Sequence, residues 1–345
     1  MKALVYGGPG KRSWTEVPDP KIMEATDAVI RVDAVTICGT DLHILRGDVP
    51  AVEPGRVLGH EAVGTVVETG DAVRGLAAGD RVLASCISAC GTCRFCREGS
   101  YGQCLGGGGW ILGHTTDGVQ AEYARIPFAG LSTHKLPAGV PDETAVLLAD
   151  ILPTSYEVGV RNGRVSPGDT VVVVGAGPIG LAAIRTAQLF SPAHIVAVDK
   201  AESRLTAARE FGADITLLPD RLAADAVRAV TGGLGADVVI EAVGLPETFE
   251  LCTRLVRPGG HVANVGVHGA PATLHLEDLW IRNVTITTGL VDTSSTPRLL
   301  AMVAAGKLGV GDMVRHRFAL ADIMRAYDVF ETPEQSGALK VVMTR

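Results

Sequence analysis

Gly175-Ala176-Gly177-Pro178-Ile179-Gly180 is the tightest constraint in this sequence, because it sits between four consecutive valines, Val171–Val174, and a helix-length apolar segment. A G-x-G-x-x-G spacing alone says little; a strand before it and a helix after it give it meaning. The first glycine allows a tight turn, the second lets the backbone approach a pyrophosphate, and the third lets helix and strand pack closely. The helix N-terminus then turns its positive end toward the phosphates. Pro178 suits the first turn, where a missing N–H costs nothing. Asp199 closes the following strand, 19 residues after Gly180. A carboxylate there accepts hydrogen bonds from the adenosine ribose hydroxyls and repels a 2′-phosphate, which favours NAD over NADP; the adjacent Lys200 softens that preference.

The surroundings of this loop read as a parallel, doubly wound sheet. Val171–Val174, Ile195–Asp199, Ile215–Leu218, Val238–Glu241 and Val262–Val265 are compact aliphatic runs. They alternate with helix-length segments at Ile179–Phe190, Ser203–Phe211 and Glu247–Val256, which is the pattern of an α/β fold. Asn283–Gly289, a helical stretch at Pro297–Ala305 and a short strand at Leu339–Thr344 follow. Before about Ser166 the texture is β-rich, with Ala28–Val35, Ala62–Glu68 and Val119–Pro127 set apart by turn-formers such as Gly70-Asp71 and Gly79-Asp80. A chain of 345 residues accommodates two domains of this kind.

Hydrophobic residues at 47% with charged residues at 20% exclude a disordered chain. A net charge of -7 argues against nucleic acid or an anionic membrane as partner. No apolar run reaches the roughly 20 residues of a membrane span. Met1-Lys2-Ala3-Leu4-Val5-Tyr6 has neither the apolar core nor the cleavage site of a signal peptide. The expectation is a soluble, cytoplasmic protein with no membrane or nucleic-acid partner.

Cys90, Cys93, Cys96 and Cys104 form C-x2-C-x2-C-x7-C. Four thiolates so spaced can wrap one tetrahedral zinc on a single loop. Free thiols or an iron–sulfur cluster are the other readings in a reducing compartment, and disulfides are the weakest. Cys86 stands just upstream of the set, and Cys252 falls in a helical segment as a small buried hydrophobe. A second, dispersed group joins Cys38-Gly39-Thr40-Asp41-Leu42-His43 to Gly59-His60-Glu61.

Cys38-x-Thr-Asp-x-His, Gly59-His60-Glu61-Ala62, the four-cysteine lobe and the later glycine loop occur in that order in the zinc-dependent medium-chain alcohol dehydrogenases, which this sequence resembles over nearly its whole length. The resemblance implies a GroES-like β-rich catalytic domain over residues 1–152, with a structural-zinc lobe at about 86–110. It implies a Rossmann dinucleotide-binding domain over 153–291, and a return to the catalytic domain over 292–345. Cys38 and His60 match two catalytic zinc ligands. Asp150 holds the third position, where a second cysteine is more usual, and this resembles the bacterial secondary-alcohol dehydrogenases. Each chain would then carry two Zn2+, one catalytic and one structural, together with NAD. Glu61 matches a residue beside the metal that either ligates transiently or supports His60 from behind.

The implied reaction is reversible hydride transfer between the carbon of a small neutral alcohol and the nicotinamide. The zinc ionises the alcohol, and the proton leaves by Thr40, the nicotinamide ribose and His43. His43 as a plain surface residue is the other reading. Thr154 is expected at the nicotinamide, Val243, Val265 and Val267 along the cofactor, and Lys340 on its phosphates. Arg204 either covers the adenine edge or is a solvated helix residue. Trp110 with Ile87 and Leu290 would make a small apolar pocket, unless Trp110 merely packs the lobe. No Lys or Arg falls at these pocket positions, which favours a neutral alcohol or carbonyl substrate. A homo-oligomer is expected, a tetramer before a dimer. L-threonine 3-dehydrogenase or a polyol dehydrogenase is the alternative within the enzyme class; a non-catalytic zinc- or nucleotide-binding protein is the alternative outside it.

Overall fold

The computed structural model describes residues 1–220 and 222–345. The chain divides into two compact units, Met1–Pro153 with Val291–Arg345, and Thr154–Leu290.

In the first unit a seven-stranded sheet is centred on Ala28–Thr36 and Ala62–Thr69, which pair antiparallel with Val35 opposite Ala62 and Ala28 opposite Thr69. Arg81–Ala84 and Thr133–Lys135 extend it on one side. On the other side Lys340–Thr344 pairs antiparallel with Ala28–Thr36, Val342 facing Thr36, and Val314–Ala319 continues beyond it. The alternating pattern of Ala28–Thr36 buries Ile30, Val32 and Ala34 on one side and leaves Arg31 exposed on the other. The main core gathers Leu4, Ile30, Val35, Ile37, Leu58, Leu112, Ile126, Ile323, Tyr327 and Met343. Of the expected strand Val119–Pro127, only Tyr123–Ile126 joins the sheet. The residues before it are held elsewhere: Gln120 N–H donates to Leu58 O at 2.9 Å and Leu4 N–H to Gln120 O at 2.8 Å. That tie draws Gln120 into the core.

In the second unit six strands, all parallel, run in the spatial order Ile215–Leu217, His194–Val198, Thr170–Val174, Ala236–Glu241, Val256–Asn264, Thr285–Thr288. Numbered along the chain this is 3-2-1-4-5-6, the Rossmann order, whose reversal falls beside Thr170–Val174. Every residue of Thr170–Val174 is buried, because helices cover both faces of such a sheet. Pro178–Ala187, Glu202–Glu210, Ala223–Val230 and Pro246–Leu255 are its helices. Cys252 is fully buried on the last of these, and burial pushes its thiol well up. Among the described residues, no helix is long and apolar enough to cross a membrane.

Candidate active site and metal centres

The helix Gly39–Arg46 begins where Cys38 leaves its strand. Asp41 fixes that start by accepting the Cys38 backbone N–H at 2.9 Å, and Gly47, at φ 88°, ends the helix. His60 is carried by the run into Ala62–Thr69, which lies alongside because Thr36 N–H donates to Glu61 O at 3.3 Å. Asp150 precedes the short helix Ile151–Thr154, and its neighbour Ala149 is tied down by the Cys86 N–H at 3.1 Å. Three distant segments thus converge. His60 Nε2 is 3.3 Å and Cys38 Sγ 3.5 Å from Asp150 Oδ2, and all three donor atoms lie within 4.8 Å of one another. A tetrahedral zinc with Zn–N and Zn–O of about 2.1 Å and Zn–S of about 2.3 Å needs edges of about 3.4 and 3.6 Å. The trio therefore fits a zinc ion.

Without a metal, two of the three donors, Cys38 and His60, hold their protons. Burial, with the nearby charges of Asp150 and Glu61, pushes the Cys38 thiol up. Burial works the other way on His60, but hydrogen bonds to Asp150 and Cys38 outweigh it and hold the imidazole well above its ordinary value. An incoming cation must displace those protons.

Thr40 Oγ1 lies 3.6 Å from Cys38 Sγ. His43, three positions on along the same helix and so on the same face, is partly exposed, with Nδ1 3.0 Å from Asp48 Oδ2. Trp110 presents its ring edge-on to His60, centroids 6.3 Å apart, and stacks on His114 at 4.3 Å. Ile87 is buried and offers almost no surface to a pocket. Leu290, half-exposed, belongs to the second unit.

The expectation for Lys340 is corrected. Its ammonium donates to Glu61 Oε2 at 2.6 Å and to Ile37 O at 2.8 Å, with both side chains 1% exposed. Register explains this: Lys340–Thr344 and Glu61 flank opposite sides of the Ala28–Thr36 strand end. The Glu61 charge outweighs burial and holds Lys340 above its ordinary pKa, so the ammonium is charged and spent on Glu61 rather than on a phosphate.

Cys90, Cys93, Cys96 and Cys104 also converge to within 4.8 Å. The 3.9 Å between Cys90 Sγ and Cys96 Sγ is close to the roughly 3.8 Å edge of a tetrahedral site of four zinc-bound sulfurs and far from a disulfide. Backbone N–H groups of Cys90 and Gly106 point at Cys104 Sγ, and that of Leu105 at Cys93 Sγ, each at 3.4 Å. Gly106 and Gly108 are required here, since an added Cβ would stand 2.6 Å from Cys90 Sγ and 2.2 Å from Ser88 O respectively. Burial and the neighbouring thiols push Cys96 up to about 12, while donors from Thr92 and Cys93 overcome burial at Cys90 and bring it to about 6. Four such thiols ionise together only around a cation.

In the second unit the three loop glycines separate by role. Gly175 has φ 98° and an added Cβ would meet Val243 Cγ2 at 2.5 Å, while at Gly180 it would meet Gly175 O at 1.8 Å. At Gly177 nothing lies within 4 Å. No intrachain contact demands that glycine, so its bare backbone leaves room for something from outside, at the N-terminus of a ten-residue helix carrying Pro178 in its first turn and Ile179 after it. Asp199 accepts Ala176 N–H at 2.8 Å and Ala201 N–H at 2.9 Å, with Arg204 3.8 Å away. Lys200 is exposed, and Val243 and Val267 are exposed beyond the carboxyl ends of their strands. Glu241, absent from the sequence reading, is fully buried there and accepts from Val243 N, Gly244 N and Thr248 Oγ1.

A chain that joins a Rossmann unit to a unit with a Cys/His/Asp metal trio and a four-cysteine lobe is a zinc- and dinucleotide-dependent oxidoreductase. The comparisons carry this further. The alcohol dehydrogenase GroES-like domain matches residues 24–138 and the zinc-binding dehydrogenase domain residues 178–305. An alcohol dehydrogenase of Cupriavidus necator is 36% identical over 99% of this chain and 98% of its own. Among solved structures, zinc-dependent alcohol dehydrogenase 2 from Streptococcus pneumonia, in its apo form, superimposes with a TM-score of 0.96 at 44% identity, covering 100% of this chain and 98% of that one. Alcohol dehydrogenase TADH from Thermus sp. ATN1 gives 0.92 at 37% identity, covering 100% and 99%. The chain belongs to the zinc-type alcohol dehydrogenase family; it is an oxidoreductase with zinc and NAD as cofactors.

Proposed function

We propose that this enzyme interconverts small neutral secondary alcohols and ketones with NAD. The observation that carries the reading is the apolar ring of Trp110 standing 6.3 Å from His60, beside a trio that contains Asp150. Trp110 and Asp150 are the residues in which this chain resembles the bacterial secondary-alcohol enzymes, and no cation is among the expected pocket residues to draw an anionic substrate. Cys38, His60 and Asp150 would hold the zinc, which would supply Lewis-acid polarisation for the alcohol oxygen, and the dinucleotide would supply the hydride acceptor. Thr40, beside Cys38, takes the hydroxyl proton, and His43 passes a proton to solvent with Asp48 orienting its ring. Gly175, Gly177 and Gly180 seat the pyrophosphate, Asp199 the adenosine ribose, and Thr154, Val243, Val265 and Val267 the nicotinamide half. Cys90, Cys93, Cys96 and Cys104 hold the structural zinc.

We further propose a cytoplasmic homo-oligomer, tetrameric by the resemblance. It is supported by Thr285–Thr288, the outer strand of its sheet, and by Trp280 and Ile281 just before it, 73% and 68% exposed. The experiment is kcat/KM with NAD+ for propan-2-ol against propan-1-ol on zinc-replete protein. A clear preference for the secondary alcohol is expected. Turnover of neither, with NAD+ still bound, overturns the substrate class and points to threonine or a polyol.

A further inference from the structure

A chain of buried polar groups runs from the C-terminal helix Ile323–Glu331 to the back of His60, and no step of the reaction uses it. Tyr327, fully buried, donates its hydroxyl to Gln120 Oε1 at 2.8 Å. Gln120, equally buried, donates its amide N–H groups to Asp41 Oδ2 at 3.0 Å and to Thr36 O at 3.3 Å. Asp41 Oδ2 also accepts the Cys38 N–H. What remains is a pair of buried atoms with no other partner, Asp41 Oδ1 and His60 Nδ1, 4.0 Å apart.

The direction of this chain is forced. Thr36 O and the Asp41 carboxylate can only accept, so the Gln120 amide must turn its NH2 toward them. Its carbonyl oxygen is then left for Tyr327, whose hydroxyl must donate. Asp41 is thereby held by donors on one oxygen, with the other left facing His60. Leaving both orphans buried and unpaired is unfavourable, and closing the 4.0 Å gap relieves it. A proton on Nδ1 serves that contact and leaves Nε2 bare toward Cys38 and Asp150. Gly59 belongs to the same arrangement: its φ is +91°, and an added Cβ would stand 2.4 Å from Gln120 Cγ. At the far end the Arg12 guanidinium covers the Tyr327 ring at 4.7 Å while pairing with Asp328 and Glu331 of the same helix.

We infer that Tyr327 and Gln120 are positioning residues for the catalytic zinc, holding Asp41 against His60 so that the imidazole presents Nε2 to the metal in one tautomer and one orientation. The inference rests on Cys38, His60 and Asp150 being the catalytic zinc ligands. Outer partners of metal-bound histidines change metal affinity by about 10–100-fold when removed, and the four-cysteine lobe of the same chain provides an internal reference.

The test is zinc release from the zinc-loaded enzyme into a chelating dye, followed in time, with Cys38→Ser identifying the phase that belongs to the trio. Tyr327→Phe removes one hydroxyl, the donor to Gln120 Oε1, and little volume. It should release the catalytic zinc about tenfold faster and leave the zinc of the four-cysteine lobe at its wild-type rate. Gln120→Glu, which keeps the acceptor for Tyr327 but takes the N–H from Asp41, is the second variant and should show the same selective change. Acceleration of both phases alike means a general loss of stability and overturns the inference, as does a rate unchanged in both variants. If Cys38→Ser removes no phase at all, the ligand assignment fails instead, which is a different result.

Discussion

Replacing Lys340 with methionine keeps most of the side-chain volume and deletes its charge, leaving the Glu61 carboxylate buried with Oε1 already unpartnered and Oε2 newly so. Breaking a buried pair from one side costs about 3–5 kcal/mol. The cost has a ceiling, because Glu61 can take up a proton instead, and protonating an ordinary glutamate at pH 7 costs about 3.7 kcal/mol. Burial already pushes Glu61 up against the pull of Lys340, so without the ammonium the neutral carboxyl is the form that folds. For a unit of about 200 residues each kcal/mol moves Tm by about 2–4 °C, giving under that ceiling a fall of about 6–15 °C near neutral pH. The sign of the pH dependence follows. A carboxyl whose folded pKa is raised is tolerated below its unfolded pKa and penalised as pH rises above it, so the variant's deficit shrinks by about 1.4 kcal/mol per unit from pH 7 toward pH 5. Scanning calorimetry of zinc-replete protein at matched concentration, at pH 5.5 and 7.5, reads both effects. Glu61→Gln added to Lys340→Met should recover most of the loss at pH 7.5. A Tm change under about 2 °C, a deficit independent of pH, or no recovery in the double variant would refute the reasoning.

Three further outcomes are expected. Gly180→Ala forces a Cβ to within 1.8 Å of Gly175 O and should destabilise the second unit by about 3 kcal/mol or more, whereas Gly177→Ala, with nothing within 4 Å, should keep the wild-type Tm and weaken NAD+ binding; calorimetry with cofactor titration separates them, and a reversed pattern discards the assignment of roles. Asp199→Asn loses the charge and keeps only one of the two oxygens that accept the Ala176 and Ala201 N–H groups, and should raise the NADP+/NAD+ ratio of kcat/KM about tenfold or more; an unchanged ratio counts against Asp199 as the discriminator. Because Cys38 and His60 hold their protons strongly in the metal-free protein, the affinity of the trio for zinc should fall at least about tenfold per unit as pH drops from 8 to 6; competition with a chelator measures it, and a flat profile refutes it.

The second unit was legible in sequence because its code is local. Four valines, a glycine loop and an apolar helix stand in order, and the central Rossmann strands are buried on both faces, so hydrophobic runs alone mark Thr170–Val174 and Ala236–Glu241. In the first unit the pairing is long-range and mostly antiparallel, and strand lengths range from three to nine residues. Thr133–Lys135 is three residues long, and Lys2–Tyr6 with Arg12–Glu16 forms a separate hairpin. The metal ligands were legible through a family resemblance, and spacing alone marked only the four-cysteine lobe. Lys340 shows where a resemblance misleads: its sequence neighbours carry no trace of Glu61, 279 positions away. Gln120 and Tyr327 left no sequence signal, since a buried glutamine in a presumed strand and a tyrosine on a helix are ordinary until the fold places them 2.8 Å apart. Asp41 could have been found from its place three residues after Cys38, where a helix-starting carboxylate is common.

The strand Lys340–Thr344 sits directly against Ala28–Thr36, inside the first unit's sheet rather than at its margin. During synthesis this sets an order of events. The stretch Thr154–Leu290 is continuous and can fold while it emerges from the ribosome. The metal-bearing unit has all its zinc donors, from Cys38 to Asp150, in the cell long before its own sheet can close. It waits with a gap beside its central strand until Lys340–Thr344 has emerged, and only then does Glu61 acquire its counter-charge. A nascent chain stalled shortly before Lys340 would therefore carry one finished domain and one open sheet, a species for chaperones to hold and proteases to find.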